Sequence, residues 1–288
     1  MGLWDERAAL EGKVALIGGG AGGLGRAISI DLARAGMAVA VCDRDEAALD
    51  VTMGQLDAMG ADCIGAVVDV RSHDALEAFF ARTADRWGVL DVLVNVAGGT
   101  FKGAFADSTP KGRDALIRTN FMWVMDACHM AIPLMRAGGR GGSIINITTI
   151  ECHRAAPNFA VYSAMKAAVE QFSRTVAVEL APEGIRINNV APDMTPTEGI
   201  IGIGANAASD SNTMLDPKGA KIAIPMGRTG VPEDISNSVL FLASGLSSYI
   251  TGCTLHPDGG ALTSSGWFNW PGSGFGNTVP REVLDKIN

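Results

Sequence analysis

Short apolar runs separated by longer helical patterns constrain this chain more than any other feature. Six runs lie at 14–17, 38–42, 63–68, 92–96, 143–148 and 185–190, and a seventh falls near 253–256. They are apolar throughout and do not alternate, as expected of strands covered on both faces. Helical patterns fill the intervals at 24–35, 45–59, 73–86, 113–136 and 158–180, with another at 233–244 after Pro232. This alternation predicts an α/β chain: a doubly wound parallel sheet of about seven strands flanked by helices.

A chain of 288 residues, 47% of them hydrophobic, can bury such a sheet within one domain. No break in composition marks a second domain. The net charge of −8 argues against nucleic acid, and no basic run suggests a membrane face. Cys42, Cys63, Cys128, Cys152 and Cys253 are odd in number and lack metal-ligand spacing, which fits reduced thiols in the cytoplasm. His73, His129, His153 and His256 are scattered, so no metal is expected. The N-terminus lacks a signal-peptide pattern, and no apolar run approaches the ~20 residues of a membrane span.

Gly19, Gly23 and Gly25, with Leu24 between the last two, form a G-x-x-x-G-x-G turn after the first strand and before the first helix. In that context glycines let the backbone approach a pyrophosphate, while the helix N-terminus supplies N–H donors. Asp43 ends the second strand, where a carboxylate can accept from both ribose hydroxyls and would repel a 2′-phosphate. Arg44 follows and partly offsets that charge, but no basic residue sits at Ala21, Gly22 or Leu24. NAD is therefore expected over NADP.

Tyr162 and Lys166 stand four residues apart, on one face of any helix that carries them. A nearby ammonium favours the phenolate, so the pair is a candidate proton-transfer device.

With these pieces placed, the chain resembles the short-chain dehydrogenase/reductase family from about Lys13 to Gly260. The glycine turn comes first, then Asp69-Val70 at the end of the third strand, then Asn95-Val96-Ala97-Gly98 after the fourth. Asn120, Thr149 thirteen residues before Tyr162, Pro192, Thr197 and Asp258-Gly259-Gly260 follow in the family's order. The resemblance implies a single Rossmann-like catalytic domain over residues 1–288 and an NAD-dependent oxidoreductase acting on a secondary alcohol or ketone. Asn120, Thr149, Tyr162 and Lys166 would be catalytic. Gly19, Gly23, Leu24, Gly25, Asp43, Asp69, Val70, Asn95, Ala97, Gly98, Tyr162, Lys166, Pro192 and Thr197 would hold the cofactor. In the implied mechanism Lys166 binds the nicotinamide ribose and lowers the Tyr162 pKa, and Tyr162 exchanges a proton with the substrate. Thr149 orients the substrate oxygen, Asn120 holds a water that links Lys166 to solvent, and the Val190 backbone with Thr197 holds the carboxamide. A non-catalytic nucleotide-binding homologue, or an isomerase or dehydratase using the same phenol, is the alternative.

Four positions depart from the family pattern. Gly18 replaces Thr, Val96 replaces a second Asn, Asp193 replaces the Gly after Pro192, and Thr149 replaces Ser. Asp193 puts a carboxylate near the nicotinamide end. Thr149, Glu151, Phe159 and Met194 are candidate substrate residues, together with a lid over 198–225 that carries Ile200, Ile201, Ile203, Met214 and Leu215. Their mostly apolar character points to a hydrophobic, cyclic alcohol or ketone of steroid or terpenoid type. The extension 262–288 carries Trp267, Phe268, Trp270 and Phe275 and is a candidate subunit contact in a homotetramer or homodimer.

Overall fold

The computed structural model describes residues 2–197 and 216–285. Seven strands, β1 (Val14–Gly18), β2 (Ala38–Asp43), β3 (Cys63–Val67), β4 (Val92–Asn95), β5 (Gly142–Ile147), β6 (Ile185–Val190) and β7 (Thr254–Leu255), form one sheet. Their order is β3-β2-β1-β4-β5-β6-β7, and every neighbouring pair is parallel. The order reverses between β1 and β4. In such sheets ligands bind outside the carboxyl ends of the strands at that reversal.

Helices cover both faces, which explains the continuous apolar runs. On one face Leu16, Leu93 and Ile144 pack with Trp123, Val169 and Phe79, from α6 (Trp123–Gly138), α7 (Ala160–Leu180) and α4 (His73–Trp87). On the other, Ile17, Val94 and Ile145 pack with Ile28 and Ile235, from α2 (Gly23–Arg34) and α9 (Pro232–Ala243). Each fully buried Leu, Ile or Phe of this kind contributes about 1.5–3 kcal/mol. The helices start where sequence chemistry says they should. The Asp45 side chain caps α3 (Glu46–Ala58) by accepting from Ala48 N, and Ser72 caps α4 in the same way.

A polar ladder crosses the apolar sheet. Asn95 Nδ2 donates to Asn146 Oδ1 at 2.8 Å, and Asn146 Nδ2 donates to Ser173 Oγ at 3.0 Å. Ser173 Oγ and Asn189 Oδ1 lie 2.8 Å apart, and Asn189 Nδ2 donates to Thr254 Oγ1. Four strands are thereby tied to α7, and each of these bonds contributes about 1 kcal/mol.

The strands follow the predicted runs to within one or two residues. One helix differs from expectation. The stretch read as a continuous helix over 113–136 is α5 (Pro110–Ile117), a π turn (Arg118–Met122) and α6. Asn120 causes the break: its Nδ2 donates to the Leu116 carbonyl at 2.9 Å, the group that a regular helix would give to the Asn120 N–H. The C-terminal extension also holds structure that composition did not suggest. It forms α10 (Ala261–Ser264), an antiparallel hairpin of β8 (Phe268–Trp270) and β9 (Gly274–Gly276), and α11 (Arg281–Leu284). Of the candidate lid, residues 216–225 are described and include α8 (Pro217–Ala223). Ile200, Ile201, Ile203, Met214 and Leu215 lie outside the described residues.

Candidate active site

The glycine turn joins β1 to α2 at the sheet reversal. Gly19 has φ +78°, and a Cβ there would stand 2.5 Å from Ala97 N. A Cβ on Gly25 would meet the Gly19 carbonyl at 2.0 Å, so neither position admits a side chain. Gly22 precedes α2 with no side-chain cap and open space around it. The first-turn N–H groups of α2 are thus left for an anion, and the turn fits a dinucleotide pyrophosphate. Thr197 closes over this turn, with its Cβ 3.0 Å from where a Gly23 Cβ would lie.

Asp43 ends β2 beside the turn. Its Oδ2 accepts from Ala21 N at 3.2 Å and its Oδ1 from Asp45 N at 3.1 Å, so the carboxylate is already fixed. Arg26, which the sequence reading passed over, braces the same turn by donating Nε to the Ala21 carbonyl and Thr52 Oγ1. Asp69 pairs with Arg71 through Nη2 at 2.6 Å and Nε at 2.9 Å. This pair, with Arg44 beyond it, holds the Asp69 carboxyl below the usual range. Val70 is buried next to it.

Asn95 is 2% exposed, and its Nδ2 donates to Asn146 Oδ1 in the ladder, an inter-strand role that can coexist with support of the cofactor. The Gly18 departure has a physical cause. A Cβ at Gly18 would stand 2.9 Å from the buried Trp123 indole, so the ring occupies the space of the family's threonine side chain.

Lys166, Asn120 and Gly98 converge. Lys166 is 4% exposed, and its Nζ donates to the Ile147 carbonyl at 2.8 Å. Asn120 brackets Gly99, accepting from its N–H at 3.1 Å and donating to its carbonyl at 2.8 Å. A Cβ on Gly98 would lie 3.0 Å from Lys166 Nζ and 3.2 Å from Asn120 Oδ1, so glycine there admits both groups. Burial pushes Lys166 down to about 8. Burial also pushes Tyr162 up to about 12, a push that hydrogen bonding from Thr149 opposes only in part. Desolvation is the largest influence on the phenol, and the Cys152 and Glu151 charges add to it. Thr149 is 8% exposed, and its Oγ1 also accepts from Glu151 N at 3.3 Å.

Behind these groups sits Glu170, 2% exposed and one turn past Lys166 on α7. It accepts from Thr148 Oγ1 at 3.0 Å and lies 3.1 Å from His153 Nε2 and 3.5 Å from Arg174 Nη2. His153 stacks edge-on against His256, with ring centroids 4.8 Å apart. Two histidines that are scattered in sequence therefore meet in space. Among the described residues no group of His, Cys, Asp or Glu is arranged to hold a metal ion.

Among the candidate substrate residues Glu151 and Thr149 adjoin, and Met194 follows Asp193. Phe159 lines a small cavity with Phe101, Leu116 and Val161.

The family model described as Enoyl-(Acyl carrier protein) reductase matches residues 19–262, a span that carries the glycine turn, Asn120, Thr149, Tyr162 and Lys166. This chain belongs to the short-chain dehydrogenase/reductase family. It is 33% identical to a tropinone reductase homolog of Arabidopsis thaliana over 264 residues, covering 91% of this chain and 79% of the relative. It is also 33% identical to a sorbitol dehydrogenase of Cereibacter sphaeroides over 253 residues, covering 87% and 98%. A solved short-chain dehydrogenase/reductase structure from Burkholderia xenovorans superposes with a TM-score of 0.83 at 31% identity, covering 89% of this chain and 98% of that one. The chain is thus an oxidoreductase of this family, with its seven-stranded parallel sheet.

Proposed function

We propose that the protein is an NAD(H)-dependent alcohol dehydrogenase and ketoreductase, interconverting a secondary alcohol and its ketone. The observation that carries this reading is that Lys166 and Asn120 meet at Gly98 while Thr149 hydrogen-bonds Tyr162 one helical turn before Lys166. It favours redox chemistry over a non-catalytic homologue, and over an isomerase or dehydratase, because all four groups are present and adjoin a dinucleotide cradle. Preference for NAD follows from Asp43, whose fixed carboxylate faces the turn where an adenosine ribose would lie.

The cofactor would be held by Gly19, Gly23, Leu24, Gly25, Asp43, Asp69, Val70, Asn95, Ala97, Gly98, Pro192 and Thr197, with Tyr162 and Lys166 at its nicotinamide end. When bound, it would supply the hydride acceptor or donor, and its ring charge would favour the phenolate. Tyr162 takes the carbinol proton or returns it. Thr149 fixes the oxygen and supports the phenol by hydrogen bonding. Lys166, held by the Ile147 carbonyl, supplies positive potential. Asn120, through its π turn, sets the wall on which Lys166 rests.

The substrate carries a hydrophobic, cyclic body, steroid- or terpenoid-like. Supports are Phe159, Met194 and the apolar lid residues, and the similarity to a tropinone reductase homolog. A single catalytic domain, with the lid over 198–225 and the extension over 262–288, assembles as a homotetramer or homodimer in the cytoplasm. Exposed Trp267, Phe268 and Phe275 offer a contact surface. No helix among the described residues is long and apolar enough to cross a membrane.

Tyr162→Phe tests the reading. It should abolish NADH formation from every alcohol the wild type oxidises while leaving NADH binding within about twofold. Parallel loss of binding and turnover would make Tyr162 structural and defeat the proposal. Mass in solution, with and without residues 267–288, tests the assembly.

A further inference from the structure

One wall of the site holds charged groups that the mechanism above does not use. The turn after Thr149 carries Glu151 and Arg154, and the segment after β6 carries Asp193. The two are stitched together at the backbone, where Ile150 N donates to the Pro192 carbonyl at 3.1 Å. Arg154 Nη2 spans them, donating to Glu151 Oε1 at 2.9 Å and Asp193 Oδ1 at 3.3 Å. Two carboxylates share one guanidinium, so the wall keeps a net negative charge.

Asp193 is the unusual member. Its side chain is 10% exposed, and its Oδ2 is buried with no hydrogen-bond partner. Burial pushes its pKa up, and Glu151 and Asp258 add to that push, while Arg154 and the Met194 N–H oppose it. A buried carboxylate oxygen without a donor costs free energy unless something fills the gap. The wall adjoins the reacting groups. Glu151 N donates to Thr149 Oγ1, and the Glu151 charge reaches the Tyr162 phenol.

We propose that Asp193 determines specificity: its free Oδ2, braced by Arg154 beside Glu151, accepts a hydrogen bond from a second hydroxyl or an ammonium group on a cyclic secondary alcohol whose carbinol meets Tyr162 and Thr149. This rests on the alcohol dehydrogenase reading and narrows its substrate class. A site built to bond a donor rejects the analogue that lacks it, because the buried acceptor is then left unpaired. The same wall disfavours substrates that carry a carboxylate, since its one cation is already shared between two acids.

The test is a panel of matched alicyclic alcohols followed by NADH formation. It pairs cyclohexanol with the cyclohexanediols, with the aminocyclohexanols and with a hydroxycyclohexanecarboxylate, for wild type, Asp193→Asn and Asp193→Ala. Wild type should favour at least one diol or amino alcohol over cyclohexanol by about tenfold in kcat/KM, with the carboxylate poorest. Asp193→Ala should reduce that ratio to within about twofold, with most of the change in KM. Asp193→Asn, which keeps the shape, should retain a hydroxyl preference and lose an ammonium preference, so it separates the two donors. An unchanged ratio in Asp193→Ala, or a wild-type preference for cyclohexanol or the carboxylate, would overturn the inference. Failure of wild type to oxidise any alcohol with NAD or NADP, despite binding NADH, would instead remove the redox reading and this inference with it.

Discussion

Thr148 donates its hydroxyl to the Glu170 carboxylate at 3.0 Å, so the residue beside Thr149 is tied to the helix that carries Tyr162 and Lys166. Glu170 is a positioning residue in this arrangement. Glu170→Ala would leave Thr148, His153 and Arg174 without their shared partner. It should destabilise the fold by about 3 kcal/mol and lower kcat/KM. Glu170→Gln can still accept from Thr148 and should recover most of the kcat. Equal losses in the two variants, measured by thermal unfolding and steady-state kinetics, would place the role elsewhere.

Gly18 and Trp123 share one volume. Gly18→Thr, although it restores the family's residue, should destabilise by about 1–3 kcal/mol through overpacking. Pairing it with Trp123→Leu should return part of that loss, with a coupling of about 0.5 kcal/mol or more. Denaturant unfolding of the two single variants and the double variant measures this. Simple additivity would mean that the indole is not the obstacle.

The Tyr162 phenol can be titrated without a substrate, since the chain has only two tyrosines. The alkaline absorbance difference between wild type and Tyr162→Phe isolates it. Without cofactor it should ionise near 12, above the free value, because it is desolvated. Added NAD should move ionisation toward neutrality. A phenol already ionised below its free value without NAD would contradict the burial argument.

Lys166 gives a stability signature of definite sign. Its folded pKa of about 8 lies below the unfolded value of 10.5, so between these the unfolded chain holds the extra proton. Stability from this group therefore rises with pH across that window, by about 3 kcal/mol in all. Tyr162, shifted upward, acts oppositely above its free value. Lys166→Met should flatten the rise between pH 8 and 10.5, and unchanged curvature in its unfolding profile would argue against a desolvated ammonium.

Asp43→Ser should raise the KM for NAD about tenfold and narrow the gap to NADP. Arg26 and Arg44 would then be the nearest cations to a 2′-phosphate. A wild type that already prefers NADP would remove the premise.

Much of the frame was legible because strand burial writes itself into sequence as uninterrupted apolar runs, and because glycine marks backbone approaches that no other residue allows. The Tyr162–Lys166 spacing works for the same reason, since one helical turn is a local property. The helix around Asn120 is legible, but its π turn is not, because that depends on the Leu116 carbonyl accepting a side chain in place of the backbone. The roles of Glu170, Arg154 and the His153–His256 stack are not legible locally, because Thr148, Asp193 and His256 reach them from other strands and loops.

The ladder from Asn95 to Thr254 fixes α7 against four strands, whereas the Glu151–Arg154–Asp193 wall hangs from the segments beyond the strand ends. Under the proposed function, proton transfer would be mounted on a rigid chassis, and substrate choice on an exchangeable fitting. Substitutions in the fitting would then redirect specificity without loosening the chassis, so new specificities should be reachable by single steps that leave the protein foldable throughout.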